Sequence, residues 1–152
     1  MVELVVGILL IGVLAAAFVT RFQPISTFAI NQQTELLAQN IRHIQALASA
    51  WGVALRIVPN GGSYSVVCVD GTGSAPCANP GDTVTNPTDN APFIVTLGDG
   101  VTISGFATEF DKAGRPVNGA ALLTADRVFT LSADSLSRTV TVKPVTGFVV
   151  TS

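Results

Sequence analysis

MVELVVGILLIGVLAAAFVTRF, residues 1–22, carries no charge and no strongly polar side chain between Leu4 and Val19. A carboxylate, Glu3, stands just ahead of that run, and no Lys or Arg precedes it. Sixteen apolar residues at about 1.5 Å each span about 24 Å, and extension through Phe22 makes the helix adequate for a bilayer core. Three readings follow from the residues. A cleaved secretory signal has small residues at Ala15–Ala17, but its leading region is acidic where a basic one is needed. A plain membrane anchor, with Arg21 snorkelling at one interface, has no use for Glu3. A segment that rests in a membrane and then packs with copies of itself has a use for it. A buried carboxylate must be paired, and a neighbouring chain's N-terminal ammonium is a suitable partner. Glu3 then sets the axial register between subunits. A head-to-tail contact of this kind need not close, and it builds a helical filament.

Outward from this run, Pro24 ends, kinks or restarts the helix. Beyond it, ISTFAINQQTELLAQNIRHIQALASAWG keeps helical periodicity. Leu37, Ile41, Ile44, Ala48 and Trp51 form one apolar stripe, while Gln32, Gln33, Gln39, Arg42 and Gln45 lie largely off it. Gly52 is a natural stop. The pattern predicts a long helix over 1–51, bent near Pro24. Residues 1–24 are apolar all round and must be buried in lipid or in other helices. Residues 25–52 are amphipathic and pack on a domain.

From Val53 the period changes. VALRIV, SYSVVCV, PFIVTL, VTISGFATEF, RVFTLS and RTVTVKPV read as strands, separated by turn signals at Pro59–Gly62, Gly98–Gly100 and Asp111–Pro116. Short connections imply antiparallel pairing. A sheet with one apolar face needs a cover, which the stripe Leu37–Trp51 supplies. The expected fold is α+β, a long N-terminal helix on a mainly antiparallel β-sheet domain over 53–152. Residues 71–92 read as a long polar surface loop of predicted mobility. Ser74, Thr83, Thr85 and Thr88 are candidate O-glycan acceptors there. Asn86-Pro87-Thr88 is no N-glycan site, because proline holds the middle position.

Composition narrows the function. Charged residues are 12% of the chain and the net charge is −2. The eight Lys and Arg are scattered, which excludes a nucleic-acid footprint. Cys68 and Cys77 flank a short Gly/Ser/Pro loop, and the only histidine, His43, lies in another segment. Two cysteines cannot close a structural zinc site. A disulfide outside the cytoplasm is the better reading, a free thiol pair the alternative. His43 has no recognisable catalytic partner and reads as a surface or subunit-contact residue, and Trp51 reads as a core anchor. The aspartates sit mostly in turns, where their side chains bond the local backbone. No EF-hand, Walker A, GxSxG or HExxH pattern is present. Catalytic, cofactor-binding and metal-binding residues are therefore not expected.

With these residues in view, ELVVGILLIGVLAA resembles the N-terminal segment of type IV pilins and type II secretion pseudopilins. Glu3, Gly12, the charge-free run and Ala15–Ala17 carry the resemblance. The family has a short basic leader, cut after glycine by a prepilin peptidase. Its mature chain begins with a methylated Phe, then Thr, two apolar residues and the glutamate. The resemblance thus implies Phe-Thr before Met1; a chain that truly starts at Met1 would place Glu3 two residues early. Many pilins carry a proline where Thr20 stands, and here the first proline is Pro24. Gly7 and Gly12 each weaken the helix by about 1 kcal/mol, so local melting is implied less strongly than in those relatives. FDKAGRPV … RTVTVKPVTGFV is similar to the final strands of H-type pseudopilins and minor pilins at Phe110, Gly114, Arg115, Thr146 and Gly147.

The family implies a filament subunit. It would be a homo-oligomer held by residues 4–22, with Glu3 and Gly12 serving assembly. It would cross the inner membrane once before assembly, and would be handled by the prepilin peptidase and the pilus assembly machinery. Its sheet domain and loop would face outward to surfaces, DNA or phage. A major pilin is the leading reading. A minor pilin or type II secretion pseudopilin is the first alternative, and a membrane-anchored periplasmic enzyme or binding module the second.

Overall fold

The computed structural model describes Gly7 and residues 25–152. Glu3, Gly12, the apolar run and the expected bend at Pro24 lie outside the described residues. Among those described, no helix is long and apolar enough to cross a membrane.

Helix α1 runs Ile25–Trp51. Its inner side buries Ile30, Thr34, Leu37, Ala38, Ile41, Ile44, Leu47 and Ala48, which contains the predicted stripe, with Trp51 partly buried at its end. The helix stops as its sequence requires. Gly52 turns left-handed at φ +64, and the Val53 N–H bonds Ala48 O at 3.2 Å, closing the last turn. Thr34, buried among apolar neighbours, donates its hydroxyl to Ile30 O at 2.6 Å and so costs little.

Ten strands follow: β1 (Leu55–Asn60), β2 (Ser63–Cys68), β3 (Ile94–Thr96), β4 (Thr102–Gly105), β5 (Thr108–Phe110), β6 (Pro116–Asn118), β7 (Ala121–Leu122), β8 (Arg127–Ala133), β9 (Leu136–Val142) and β10 (Val149–Thr151). Every strand pairing is antiparallel. They form two sheets where the sequence suggests one. One has the order β3-β2-β1-β5-β6-β7, the other β10-β9-β8-β4. The division falls inside VTISGFATEF, which reads as a single strand but splits into β4 and β5 on different sheets. Gly105 is the cause. Its φ is +146, and a Cβ there would lie 2.8 Å from Val128 O. Only glycine fits that backbone approach, and the chain leaves one sheet for the other immediately after it. The sheets remain joined where Ile103 N–H donates to Gly61 O at 2.7 Å.

The helix lies mainly on β8, β9 and β10, with further contacts to β1 and β5. Inward residues of the two sheets, including Leu55, Ile57, Val66, Phe110, Phe129, Leu131, Val140 and Val142, form one core cluster with the helix stripe. Strand alternation sends Val128, Thr130, Thr139 and Thr141 to the other side of the second sheet.

Tyr64 is the chain's single tyrosine, and it is buried. Asn40 donates to its hydroxyl at 2.7 Å. Burial pushes the phenol up to about 12, against the opposing effect of the Asn40 hydrogen bond. The neutral phenol therefore stabilises the fold fully below pH of about 10, and this contribution is lost as pH rises from about 10 through about 12. Near-ultraviolet titration should show no tyrosinate in the folded protein at pH 10.5, roughly. Tyrosinate there without unfolding would contradict the burial.

Candidate functional site

The described part of the helix meets the two sheets through two kinds of contact. The first is the apolar stripe. The second is a polar seam along the edge of β10. Glu35 Oε1 accepts from the Thr151 hydroxyl at 3.1 Å, Arg42 Nη2 donates to Val149 O at 3.2 Å, and Gln45 Nε2 donates to Gly147 O at 2.9 Å. Helix numbers rise as strand numbers fall, so the two run antiparallel. The Phe148 carbonyl and both Ser152 backbone groups bond toward β9 and Lys143, whereas the Val149 and Gly147 carbonyls face the helix. The helix side chains thus satisfy carbonyls that an edge strand would otherwise leave open. Nearby, Arg138 Nε donates to Asn31 Oδ1 at 2.9 Å.

Two glycines close around Gln45. A Cβ at Gly147 would lie 2.2 Å from Gln45 Nε2, and one at Gly114 would lie 2.7 Å from Gln45 O. Gly114 and Gly147 both have positive φ, +73 and +69. Gly114 sits in the β5–β6 turn, which Asp111 organises. Its carboxylate accepts from the N–H of Ala113 and of Arg115 and from the Arg115 guanidinium at 2.9 and 2.7 Å. Slight burial works to raise the Asp111 carboxyl, but the bonds from the Arg115 side chain and the two backbone N–H groups outweigh it and hold the carboxyl below the usual range.

Of the tail residues singled out in the sequence, Gly114 and Gly147 meet the helix. Phe110 is in the core, Arg115 braces its turn, and Gly114 and Gly147 grip Gln45. Sequence reading placed Arg42 and Gln45 off the apolar stripe without assigning them a partner. The spacing of Glu35, Arg42 and Gln45 along one side of the helix was the available signal, but its partner strand, three residues long, carries no matching pattern.

Cys68 and Cys77 form a disulfide with Cα atoms 5.6 Å apart. Segment 71–92 is more firmly tied than its composition predicts. Gly81 N–H donates to Cys68 O, Cys68 N–H to Asp82 O and Val84 N–H to Val66 O, at 2.8–2.9 Å, so 81–84 covers the edge of β2. Cys77 and Val84 are buried in the core. Ser74, Thr83, Thr85 and Thr88 are exposed. His43, expected at the surface, is half-buried against the loop side, its ring 6.1 Å from that of Phe93.

A cavity of about 680 Å³ opens beside the β5–β6 turn. Asp70, Glu109, Asp111, Lys112 and Arg115 line it. Glu109 is paired with Arg56 and Asp111 with Arg115, so most of the charge there is already neutralised. Among the described residues no group of His, Cys, Asp and Glu is placed to hold a metal ion.

No family model matches the sequence, and no curated protein matches it. Among solved structures, the chain is similar to the type IV minor pilin FimU of Pseudomonas aeruginosa strain PAO1. The TM-score is 0.52 at 14% identity, over 79% of this chain and 85% of that one. This is a pilin fold. In it the helix is the spine, the two antiparallel sheets are the head, and the clasp at Gln45 joins them.

Proposed function

We propose that this chain is a structural subunit of a type IV pilus, polymerising through its N-terminal helix into a helical surface filament as the major pilin. The observation that carries this reading is the charge-free run Leu4–Val19 behind Glu3, set at the start of a chain whose described part has the pilin fold. Residues 1–24 form the filament core, residues 25–52 join it to the head, and residues 53–152 form the head. Before assembly the chain crosses the inner membrane once. A prepilin peptidase and the assembly machinery process it, and the head and loop 71–92 then meet surfaces, DNA or phage.

Glu3 pairs with the N-terminal ammonium of the adjacent subunit, and Gly12 loosens the helix for packing. Glu3→Ala leaves the head folded and lowers fibre yield about tenfold or more, because an unpaired buried ammonium is costly. Fibre yield at the unsubstituted level, measured by shearing and sedimentation, would remove the role assigned to Glu3.

The minor-pilin or pseudopilin reading has one specific support, the likeness to a minor pilin. Gold-labelled antibody against the head separates the two. A major pilin is decorated along the whole fibre, and a minor one at its ends or sparsely.

A further inference from the structure

We propose that Gln45 is the key that fixes the axial register of the helix in the head, and that pull along the helix reaches the head through the Gly114–Gln45–Gly147 clasp. The second half of the proposal rests on the filament reading; the first does not. The apolar stripe alone specifies register weakly. A slide of one turn, about 5.4 Å, brings Leu37 and Ile44 toward the sites of Ile41 and Ala48, which also take apolar side chains. Packing therefore resists separation of helix and head more than it resists sliding.

The clasp behaves differently. Gly147 O takes the Gln45 amide at 2.9 Å and Gly147 approaches the end of that side chain, while Gly114 approaches the helix backbone, its Cβ position 2.7 Å from Gln45 O. After a one-turn slide Ile41 or Ser49 would occupy the place of Gln45, and neither carries an amide of that reach. The two turns that supply the glycines, 111–115 and 143–148, are each braced from within. Asp111 holds the first through Arg115; in the second Gly147 N–H donates to Lys143 O at 3.0 Å and Lys143 N–H to Phe148 O at 2.8 Å. The bond to Gly147 O reads the Gln45 side chain, and Gly114 presses the helix backbone of the same residue against it, which together make a register stop.

The test uses the full chain in detergent micelles and, where fibres form, the fibres. Gln45→Met keeps the size of the side chain and removes the donor. Gln45→Lys restores a donor, and Gln39→Met is the exposed control on the same helix. Hydrogen exchange at the Lys143 and Gly147 amides should quicken on the order of tenfold in Gln45→Met, recover at least partly in Gln45→Lys and stay unchanged in Gln39→Met. Stretching of Gln45→Met fibres should extend the head at lower force than the unsubstituted fibre. Exchange in Gln45→Met equal to that in Gln39→Met overturns the key, whether or not fibres form. A quickened exchange in a chain that makes no fibres upholds the key and removes the filament reading together with the pull. Fibres with equal extension force but quickened exchange uphold the register stop and overturn the load path.

Discussion

Ile41→Ala lowers the stability of the folded head by about 3 kcal/mol, within the range of about 2–5 kcal/mol for deleting a large aliphatic side chain from a packed core. Ile41 is 0% exposed. It stands in the middle of the helix stripe and shares its cluster with Phe129, Leu131, Val140 and Val142 of the second sheet. Shortening it leaves a void between two rigid layers, helix above and sheet below, which cannot easily collapse. Denaturant titration gives the difference directly, with Gln39→Ala as a control expected to stay within about 0.5 kcal/mol. A loss below about 1 kcal/mol for Ile41→Ala would mean that the helix does not seal the core as described.

Removal of the disulfide by paired Cys68→Ala and Cys77→Ala substitution costs about 3 kcal/mol. The bridge closes a loop with a sequence separation of 9, so the entropy it removes from the unfolded chain is near the lower end of the usual range. Its position adds to the effect. Both sulfurs are buried, and Cys68 ends β2 at the point where segment 81–84 is hydrogen-bonded to it. Loss of the bridge should therefore free residues 69–84 before the rest of the head unfolds. Limited proteolysis should cut the variant first within that segment, while α1, β8 and β9 stay protected. An unchanged thermal midpoint together with an unchanged cleavage pattern would show that backbone hydrogen bonds alone hold the segment.

The elements with strong periodicity were legible. Leu37, Ile41, Ile44 and Ala48 gave the buried side of α1, and Gly52 gave its end. Phe129 and Leu131 alternate with smaller or polar residues and mark β8 without ambiguity. The antiparallel pairing and the helix cover also followed from the pattern. The division into two sheets did not, because it depends on the backbone path at Gly105, and VTISGFATEF alternates as if it were continuous. Strands β6, β7 and β10 were lost or blurred for a simpler reason. Two or three residues cannot display a period of two. The tie-down of segment 81–84 also escaped, because its bonds are backbone to backbone and leave no trace in side-chain identity. The clasp was half visible. Gly114 and Gly147 stood out as turn glycines, but what they approach is a helix residue 69 positions before the first of them.

Glu3 and the apolar run remain the centre of the account, because the head by itself explains no polymer. Electron microscopy of fibres sheared from the cell surface, with mass spectrometry of their main protein, tests that centre most directly. Long thin fibres in which this chain is the dominant protein are the predicted result. A chain that stays in the membrane as a monomer, absent from any fibre, would contradict it.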